Sequence, residues 1–175
     1  KAFENEPSGI AVDTWGVDYG LIGKDGKFLE NPFHYRDSRT DDMMEKAFDI
    51  LDKKKMYENT GIQFMQLNTV FQLLAAKTNT PETLNNTQKL IPMADLISYH
   101  LCARPYAEYT LASTTQLMDM AKGTWSDVIF QKLGLDKNIM PEIVKPATVV
   151  GKITPEMAKE LDCPHIPVIA SGSHD

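Results

Sequence analysis

The pattern of apolar and polar positions divides the chain into β structure near its two ends and helices between them. Residues 10–15 form a short apolar run that predicts a buried strand, and residues 17–22 predict a second one. An Asp-Gly pair within residues 24–29 stands between apolar stretches, which is typical of a hairpin turn. Residues 166–170 predict another buried strand, which runs into a loop of small and titratable residues.

The middle of the chain has the spacing of helices. Residues 40–54 carry apolar side chains at helical intervals, and Thr40 followed by two aspartates offers a cap and acidic residues for the helix start. Further helices are predicted over residues 68–77, 94–101, 126–133 and 155–161. We therefore expect an α/β domain with a large helical insertion. Because a sheet with so few strands is marginal on its own, we also expect parts of it on each side to be absent from this chain.

Length and charge narrow the class of protein. The 175 residues suggest one domain, and the net charge of −6 comes with only one basic run, at residues 53–55. A solvated helical face explains that run better than a nucleic-acid site, which needs a broad basic surface. No apolar run approaches the roughly 20 residues that cross a bilayer. The sequence has no signal-like start, although it begins at Lys1 and not at a methionine. From the charge pattern and the lack of an apolar run or signal, we expect a cytoplasmic protein without a nucleic-acid or membrane partner.

The metal-binding and nucleophilic motifs with known spacing are not found. Cys102 and Cys163 are far apart, and the four histidines have no ligand spacing, so no metal site is expected. Two buried free thiols in a reducing compartment are the expected state, with a structural disulfide as the lesser alternative. The sequence also contains neither a Gly-x-x-x-x-Gly-Lys-Ser/Thr phosphate loop nor a Gly-x-Ser-x-Gly elbow.

The clearest candidate for chemistry is the loop after the last predicted strand, residues 171–175. In open α/β sheets, ligands gather beyond the carboxyl ends of strands, and Asp175 could accept a proton from a hydroxyl group there. A turn in which Asp175 caps a following helix explains the same residues equally well.

Four other segments carry polar groups that are candidates for a ligand site. Residues 13–18 place Trp15 beside two acids, which suits a sugar ring, although a strand edge with a hairpin explains them slightly better. Residues 35–40 place Arg39 and a second arginine beside acids, which favours a salt-bridge cluster at a helix start. Gln63, Gln66 and Asn68 could read hydroxyl groups, but loops contain such amides routinely. Residues 108–116 are rich in hydroxyls and contain no acid/base pair.

Taken in order, these segments resemble the rhamnulokinase branch of the carbohydrate kinase family, which also includes glycerol and xylulose kinases. The matching segments are residues 13–18 (Asp-Thr-Trp-Gly-Val-Asp), 35–40 (Tyr-Arg-Asp-Ser-Arg-Thr), 60–63, 68–69, 71–73, 98–99, 108–110, 112–117, 166–170 and 173–175 (Ser-His-Asp). They cover nearly the whole chain. The first two point to the rhamnulokinase branch rather than to its relatives.

The resemblance implies an actin-like (ribonuclease H-like) lobe that forms the N-terminal, sugar-binding part of a two-lobed kinase. It implies that Asp175 is the catalytic base, that Gly16, His174 and Asp175 contact the sugar, and that Tyr35 forms an aromatic wall. The implied reaction converts L-rhamnulose, or a similar ketose, and ATP into the 1-phosphate and ADP, with Mg²⁺.

The chain departs from the family pattern in several places. No phosphate-gripping glycine loop precedes Ile10, and the second lobe that would hold ATP is missing, so the expectation over residues 1–175 is an incomplete lobe without kinase activity of its own. Residues 102–105 also differ from the family, which indicates a change in a surface loop. Two alternatives stay open: a kinase for another ketose, and a non-catalytic sugar-binding relative.

Overall fold

Nine short strands and eight α-helices make up the part of the chain that the computed structural model describes, residues 7–174. The strands are β1 Ile10–Ala11, β2 Tyr19–Ile22, β3 Lys89–Pro92, β4 Ala107–Glu108, β5 Met118–Asp119, β6 Thr124–Trp125, β7 Ile143–Val144, β8 Val149–Lys152 and β9 Pro167–Ile169. The helices are α1 Met43–Ile50, α2 Lys53–Thr60, α3 Thr69–Asn79, α4 Pro81–Asn86, α5 Met93–Cys102, α6 Tyr109–Thr114, α7 Asp127–Leu133 and α8 Pro155–Glu160. Two 3₁₀ turns lie at Ser38–Thr40 and Lys137–Ile139. The mixed α/β class expected from the sequence is confirmed.

The two ends of the described chain meet in a three-stranded sheet of order β1-β9-β8. β1 pairs in parallel with β9, with Ile10 opposite Val168, and β8 pairs with the other side of β9 in the antiparallel sense. Parallel strands end at the same edge of a sheet, so the segments that follow β1 and β9 leave it together. β1 is shorter than the predicted strand over residues 10–15, because pairing stops at Ala11.

β2 lies in a second, antiparallel pair. Its neighbour is β3, with Tyr19 opposite Pro92 and Ile22 opposite Lys89. The predicted hairpin is confirmed on the other side of β2, where Ile22 bridges Phe28 and the Leu29 amide donates to the Leu21 carbonyl at 3.0 Å. β3 was not predicted, because two apolar residues between Lys89 and Pro92 are too short a run to carry a periodic signal.

The predicted helix over residues 40–54 is wrong in two respects. Leu51 is extended and divides the segment into α1 and α2, and the Asp52 carboxylate caps α2 by accepting from the Lys55 amide at 3.1 Å. Thr40 does not cap α1 but ends the 3₁₀ turn, and Asp42 precedes α1 in a left-handed conformation without a side-chain cap bond. The three lysines at residues 53–55 form the exposed first turn of α2, as expected.

The other predicted helices are confirmed as α3, α5, α7 and α8, with ends that differ by one or two residues. α4 and α6 are only six residues long, too short for a helical period to stand out from the sequence. Most of the remaining strands have two residues, which is why the sequence suggested so little sheet.

The two largest of four hydrophobic clusters among residues 7–174 hold most of these elements. The larger packs α1, α2, α3 and α7 against β2 and β3, around side chains such as Phe71, Leu73 and Phe130. The smaller packs β8, β9 and α8 around Val150, Val168 and neighbouring side chains.

Cys102 and Cys163 are free, as expected, but each is only half-buried. Within residues 7–174, no helix combines the length and the hydropathy needed to cross a membrane.

Candidate functional site

A cleft of about 560 Å³ opens where the segment after β1 meets the segment after β9 and the entrance to α3. Its walls come from five separate parts of the sequence. The lining residues are Trp15, Gly16, Val17, Tyr35, Arg36, Ile62, Gln63, Met65, Leu67, Asn68, Ser113, Thr114 and His174. A volume of this size is in the range of small-molecule sites.

The floor of the cleft is a tight turn at Gly16 and Val17. A Cβ on Gly16 would lie 3.3 Å from the Thr114 hydroxyl and 3.7 Å from His174 Cδ2, so glycine leaves space between these side chains. Val17 has φ of +66°, which is rare for a β-branched residue. Its carbonyl accepts from the Thr69 hydroxyl at 2.6 Å and from Gln72 Nε2 at 3.2 Å, which holds the strained turn in place.

Trp15 presents an indole ring that is 49% exposed, and a buried acid fixes its direction. The indole Nε1 donates to Asp18 Oδ2 at 2.7 Å, while Asp18 Oδ1 accepts from Gln72 Nε2 at 3.2 Å. Asp18 is itself almost inaccessible to solvent. It therefore orients the ring that faces the cleft and does not contact a ligand directly.

Arg39 continues this network away from the cleft. Its Nη2 donates to Gln72 Oε1 at 2.9 Å, and its guanidinium carbon lies 3.9 Å from the centre of the Phe33 ring. The salt-bridge cluster predicted for residues 35–40 is wrong for Arg39, because no carboxylate among the described residues pairs with it. The Asp37 carboxylate instead accepts from the Arg39 amide at the start of the 3₁₀ turn.

Apolar and amide side chains from the segment before α3 form the opposite wall of the cleft. Ile62, Met65 and Leu67 supply the apolar part. Asn68 Nδ2 donates to the Gln63 carbonyl at 3.0 Å and to Gln116 Oε1 at 2.8 Å, so these amides hold one another. Gln66, which the sequence suggested as a further amide of the site, instead donates to Asp41 Oδ1 at 2.7 Å and does not line the cleft.

Tyr35 closes one side of the cleft within a stack of planar groups. Its ring centre lies 4.3 Å from that of His34, and the Arg36 guanidinium carbon lies 5.5 Å from the Tyr35 centre. The neighbours thus restrict the orientation of the tyrosine ring. A flat wall of this kind suits the C–H face of a sugar.

The segment after β9 reaches the cleft through two backbone amides. The Ser173 and His174 amides both donate to the Thr110 hydroxyl oxygen, each at 3.1 Å. That hydroxyl donates in turn to Glu108 Oε2, which also accepts from the Thr110 and Leu111 amides. Ser173 is buried, whereas the His174 side chain is exposed to the cleft.

A second buried carboxyl group lies behind Glu108. Asp95 Oδ2 accepts from the Glu108 amide at 2.8 Å. The pKa of Asp95 is raised to about 7, mainly by burial and also by the charge of Glu108, against the lowering effect of the bonds from the Glu108 amide and Tyr106. The same burial raises the pKa of Tyr106.

Three of the four site residues that the sequence suggested lie together. Gly16, Tyr35 and His174 line the same cleft, although more than 150 residues separate the first from the last. Asp175, the suggested base, lies outside the described residues.

The sequence did not reveal the supporting residues Gln72, Asp95 and Glu108. Gln72 and Asp95 are lone polar residues within largely apolar helices, and Glu108 opens a hydroxyl-rich stretch, so no pattern in the sequence gives them a supporting role. No group of three or more metal-ligating side chains occurs in the described part of the chain.

Comparison with known proteins gives one consistent result. Residues 2–175 match the N-terminal domain of the FGGY family of carbohydrate kinases. The chain is 34% identical over 170 residues to a rhamnulokinase of Oceanobacillus iheyensis and 37% identical over 169 residues to one of Pectobacterium atrosepticum. These alignments cover 97% of this chain but 36% and 33% of the two relatives, so the chain spans about a third of their length.

Solved structures agree on the fold. A xylulose kinase from Rhodospirillum rubrum superimposes with a TM-score of 0.88 at 20% identity, covering 96% of this chain and 35% of that one. A gluconate kinase from Lactobacillus acidophilus superimposes with a TM-score of 0.87 at 21% identity, covering 97% and 35%. The chain therefore belongs to the FGGY family of carbohydrate kinases.

Proposed function

We propose that the protein containing this chain transfers the γ-phosphoryl group of ATP to the 1-hydroxyl of L-rhamnulose, and that this chain supplies the sugar site. The observation that carries the proposal is the convergence of Trp15, Gly16, Tyr35 and His174 on one cleft. These residues come from the two segments after the paired strands β1 and β9 and from the Tyr35 stack. The rhamnulokinase relatives support the choice of sugar.

Asp175 follows the cleft residue His174 in the sequence, and we assign it the role of catalytic base. Phosphoryl transfer depends mainly on positioning the reactants and neutralising charge, so the protein needs little covalent chemistry. One carboxylate that accepts the proton of the attacking hydroxyl is sufficient on the sugar side. We assign Gly16, His174 and Tyr35 to sugar contact, because each borders the space that the sugar would fill.

The apolar wall favours a 6-deoxy ketose. Ile62, Met65 and Leu67 offer no hydrogen bond from their side chains, so a terminal hydroxymethyl group placed against them would lose its bonds to water. The methyl group of L-rhamnulose would not pay that penalty. Gln63 and Ser113 lie on the same cleft and can bond to ring hydroxyls.

ATP and its divalent cation, taken to be Mg²⁺, are assigned to parts of the kinase that lie outside the third of the relatives' length matched here. When bound, the cation neutralises charge on the phosphates. The residues of this chain bind and orient the sugar and exclude water from its reacting hydroxyl. By itself the chain is then an incomplete sugar-binding lobe without kinase activity. The protein that contains it would function in the cytoplasm.

Two other functions stay open. Xylulose and gluconate kinases share the fold, which favours a kinase for another ketose as the second candidate. A non-catalytic sugar-binding relative is the third.

A substrate panel on the full-length gene product tests the proposal. With ATP and Mg²⁺, we expect kcat/KM to be highest for L-rhamnulose, and lower for L-fructose, which differs only by a hydroxyl at C6. L-Fuculose keeps the methyl group but inverts C4, so L-fructose and L-fuculose together separate recognition of the methyl group from recognition of the C4 configuration. D-Xylulose lacks C6 and has the opposite configuration at C3 and C4. Equal or higher kcat/KM for D-xylulose would identify a different ketose kinase.

The variant Asp175→Asn tests the base. The amide cannot accept the hydroxyl proton, so we expect kcat to fall by about 10²–10⁴-fold while the dissociation constant for L-rhamnulose changes little. Titration calorimetry measures the binding and a coupled ADP assay measures kcat. Wild-type turnover by the variant would rule out the base assignment.

A further inference from the structure

The hydroxyl of Thr110 makes every hydrogen bond that a hydroxyl can make. A threonine hydroxyl has one donor hydrogen and two acceptor lone pairs. The hydrogen is donated to Glu108 Oε2, and the oxygen accepts from the Ser173 and His174 amides at 3.1 Å each. Since the hydrogen is committed to Glu108, both lone pairs face the segment that carries His174.

Glu108 is a fixed anchor for that hydroxyl. Its side chain is inaccessible to solvent, and its Oε2 accepts from the Thr110 and Leu111 amides at the first turn of α6, at 2.9 and 3.2 Å. Its own amide donates to Asp95 Oδ2 at 2.8 Å. Three donors of α6 thus hold the carboxyl group through Oε2, and Asp95 holds the backbone of the same residue.

The Ser173 side chain adds two weaker contacts to the same segment. The Ser173 hydroxyl lies 3.4 Å from the Val12 carbonyl and 3.2 Å from the Ser171 carbonyl, which are longer contacts. Thr110 is not among the residues that line the cleft, and its hydroxyl is fully occupied by Glu108 and the two amides. Any effect of Thr110 on chemistry must therefore act through the backbone of Ser173 and His174.

We propose that Thr110, fixed by Glu108, is a positioning residue that sets the backbone of Ser173 and His174 and thereby the approach of His174 and the following Asp175 to the sugar. This inference rests on the proposed sugar phosphorylation. It assigns a role in the reaction to a hydroxyl outside the cleft.

The test compares Thr110→Val with Thr110→Ser in the full-length gene product. Valine keeps the shape of the side chain but removes the acceptor of both amides, whereas serine keeps the hydroxyl. Hydrogen exchange measured by NMR or mass spectrometry reports on the Ser173 and His174 amides without any substrate. Steady-state kinetics with L-rhamnulose and ATP reports kcat and KM.

We expect the two amides to exchange at least tenfold faster in Thr110→Val and at the wild-type rate in Thr110→Ser. We expect kcat to fall by about 10–100-fold in the valine variant, because a displacement of about 1 Å in a catalytic group has that cost. KM should change less than kcat, because the lost positioning of the segment by Thr110 matters more for the transition state than for the bound sugar. Serine should restore most of kcat.

Thr87→Val is the matched control. Thr87 is buried, whereas Thr110 is partly buried, and the Thr87 hydroxyl donates to the Thr83 carbonyl at 2.9 Å; it lies outside the cleft and its supports. In the Thr87→Val variant, amide exchange at Ser173 and His174 and the value of kcat should equal those of the wild type. A similar loss of kcat in both valine variants would indicate general destabilisation and overturn the proposal.

Two other outcomes also overturn it. Unchanged amide exchange in Thr110→Val means that the hydroxyl does not hold the segment. Faster exchange with unchanged kcat means that the segment does not need to be held. If the wild type phosphorylates no ketose, the proposed function fails, and the exchange data still show whether the hydrogen bonds exist.

Discussion

At the scale of single residues, three buried acids support the cleft without a cation beside them. Asp18, Asp95 and Glu108 are each nearly inaccessible, and their carboxyl oxygens accept from amide, indole and hydroxyl donors. Within residues 7–174 none of the three takes part in a salt bridge. For Asp95, burial favours the protonated form and raises the pKa, so the stability of this region should depend on pH.

Asp95→Asn tests that dependence. Because burial raises the pKa of Asp95 to about 7 in the folded protein, the folded state holds a proton between about pH 4 and pH 7 that the unfolded chain has released. The contribution of Asp95 to stability therefore falls as pH rises through that window and is constant above it. Asparagine keeps the acceptor for the Glu108 amide and carries no charge.

We expect the free energy of unfolding of Asp95→Asn, relative to wild type, to increase by about 2–3 kcal/mol between pH 5 and pH 8. Urea denaturation at the two pH values measures it. If the difference in the free energy of unfolding between the variant and the wild type is the same at pH 5 and pH 8, the raised pKa of Asp95 is contradicted.

At the scale of secondary structure, the positions of the longer elements could be predicted from the sequence, whereas the break between two helices and the two-residue strands could not. The long α3 and α5 and the strand β9 have clear periods, and the sequence located them to within one or two residues. The break between α1 and α2 went unseen because apolar residues continue through Leu51, although Asp52 is a standard capping residue. Two-residue strands such as β4 are defined by their partners, here β7, and carry no local signal.

In the candidate site, too, residues within local motifs could be predicted, whereas residues whose role comes from tertiary contacts could not. Gly16, Tyr35 and His174 were assigned through ordered motifs, because ligand-facing residues in this family sit in recognisable local sequences. Glu108 and Thr110 were noted in a polar stretch and in a family motif but without a role, since their role depends on a segment more than 60 residues further along. Tertiary contacts of that kind have no period to detect.

Ser126→Ala tests a cap that also joins two helices. The Ser126 hydroxyl accepts from the Ile129 amide at the start of α7 and donates to Asn59 Oδ1 of α2 at 3.1 Å. We expect the variant to lose about 1–2 kcal/mol in the free energy of unfolding. Thr154→Ala is the control, because Thr154 caps α8 through Met157 alone and should cost less. Equal losses in the two variants would mean that the contact with Asn59 contributes nothing.

At the scale of the whole molecule, the cleft joins parts of the chain from Trp15 to His174, so a bound sugar should stabilise both cores together. For the 175-residue chain alone, we expect L-rhamnulose at 100 times its dissociation constant to raise the free energy of unfolding by about 2.7 kcal/mol. ATP alone should have no effect. Thermal denaturation with each ligand measures both.

Gly16→Ala is the control for that experiment. Its Cβ would project to within 3.3 Å of the Thr114 hydroxyl in the cleft, so the variant should fold but gain less from the sugar. Stabilisation by ATP and not by L-rhamnulose would contradict the assignment of this chain to the sugar.

The pairing of β1 with β9 also bears on how the molecule is made. Ile10 and Val168 are neighbours in space but are separated by nearly the whole chain, so their contact carries the largest loop-closure entropy in the sheet. During synthesis, Trp15 and Gly16 leave the ribosome long before Ser173 and His174. The cleft therefore cannot exist on the nascent chain, and we expect sugar binding to begin only after β9 has emerged and closed the sheet.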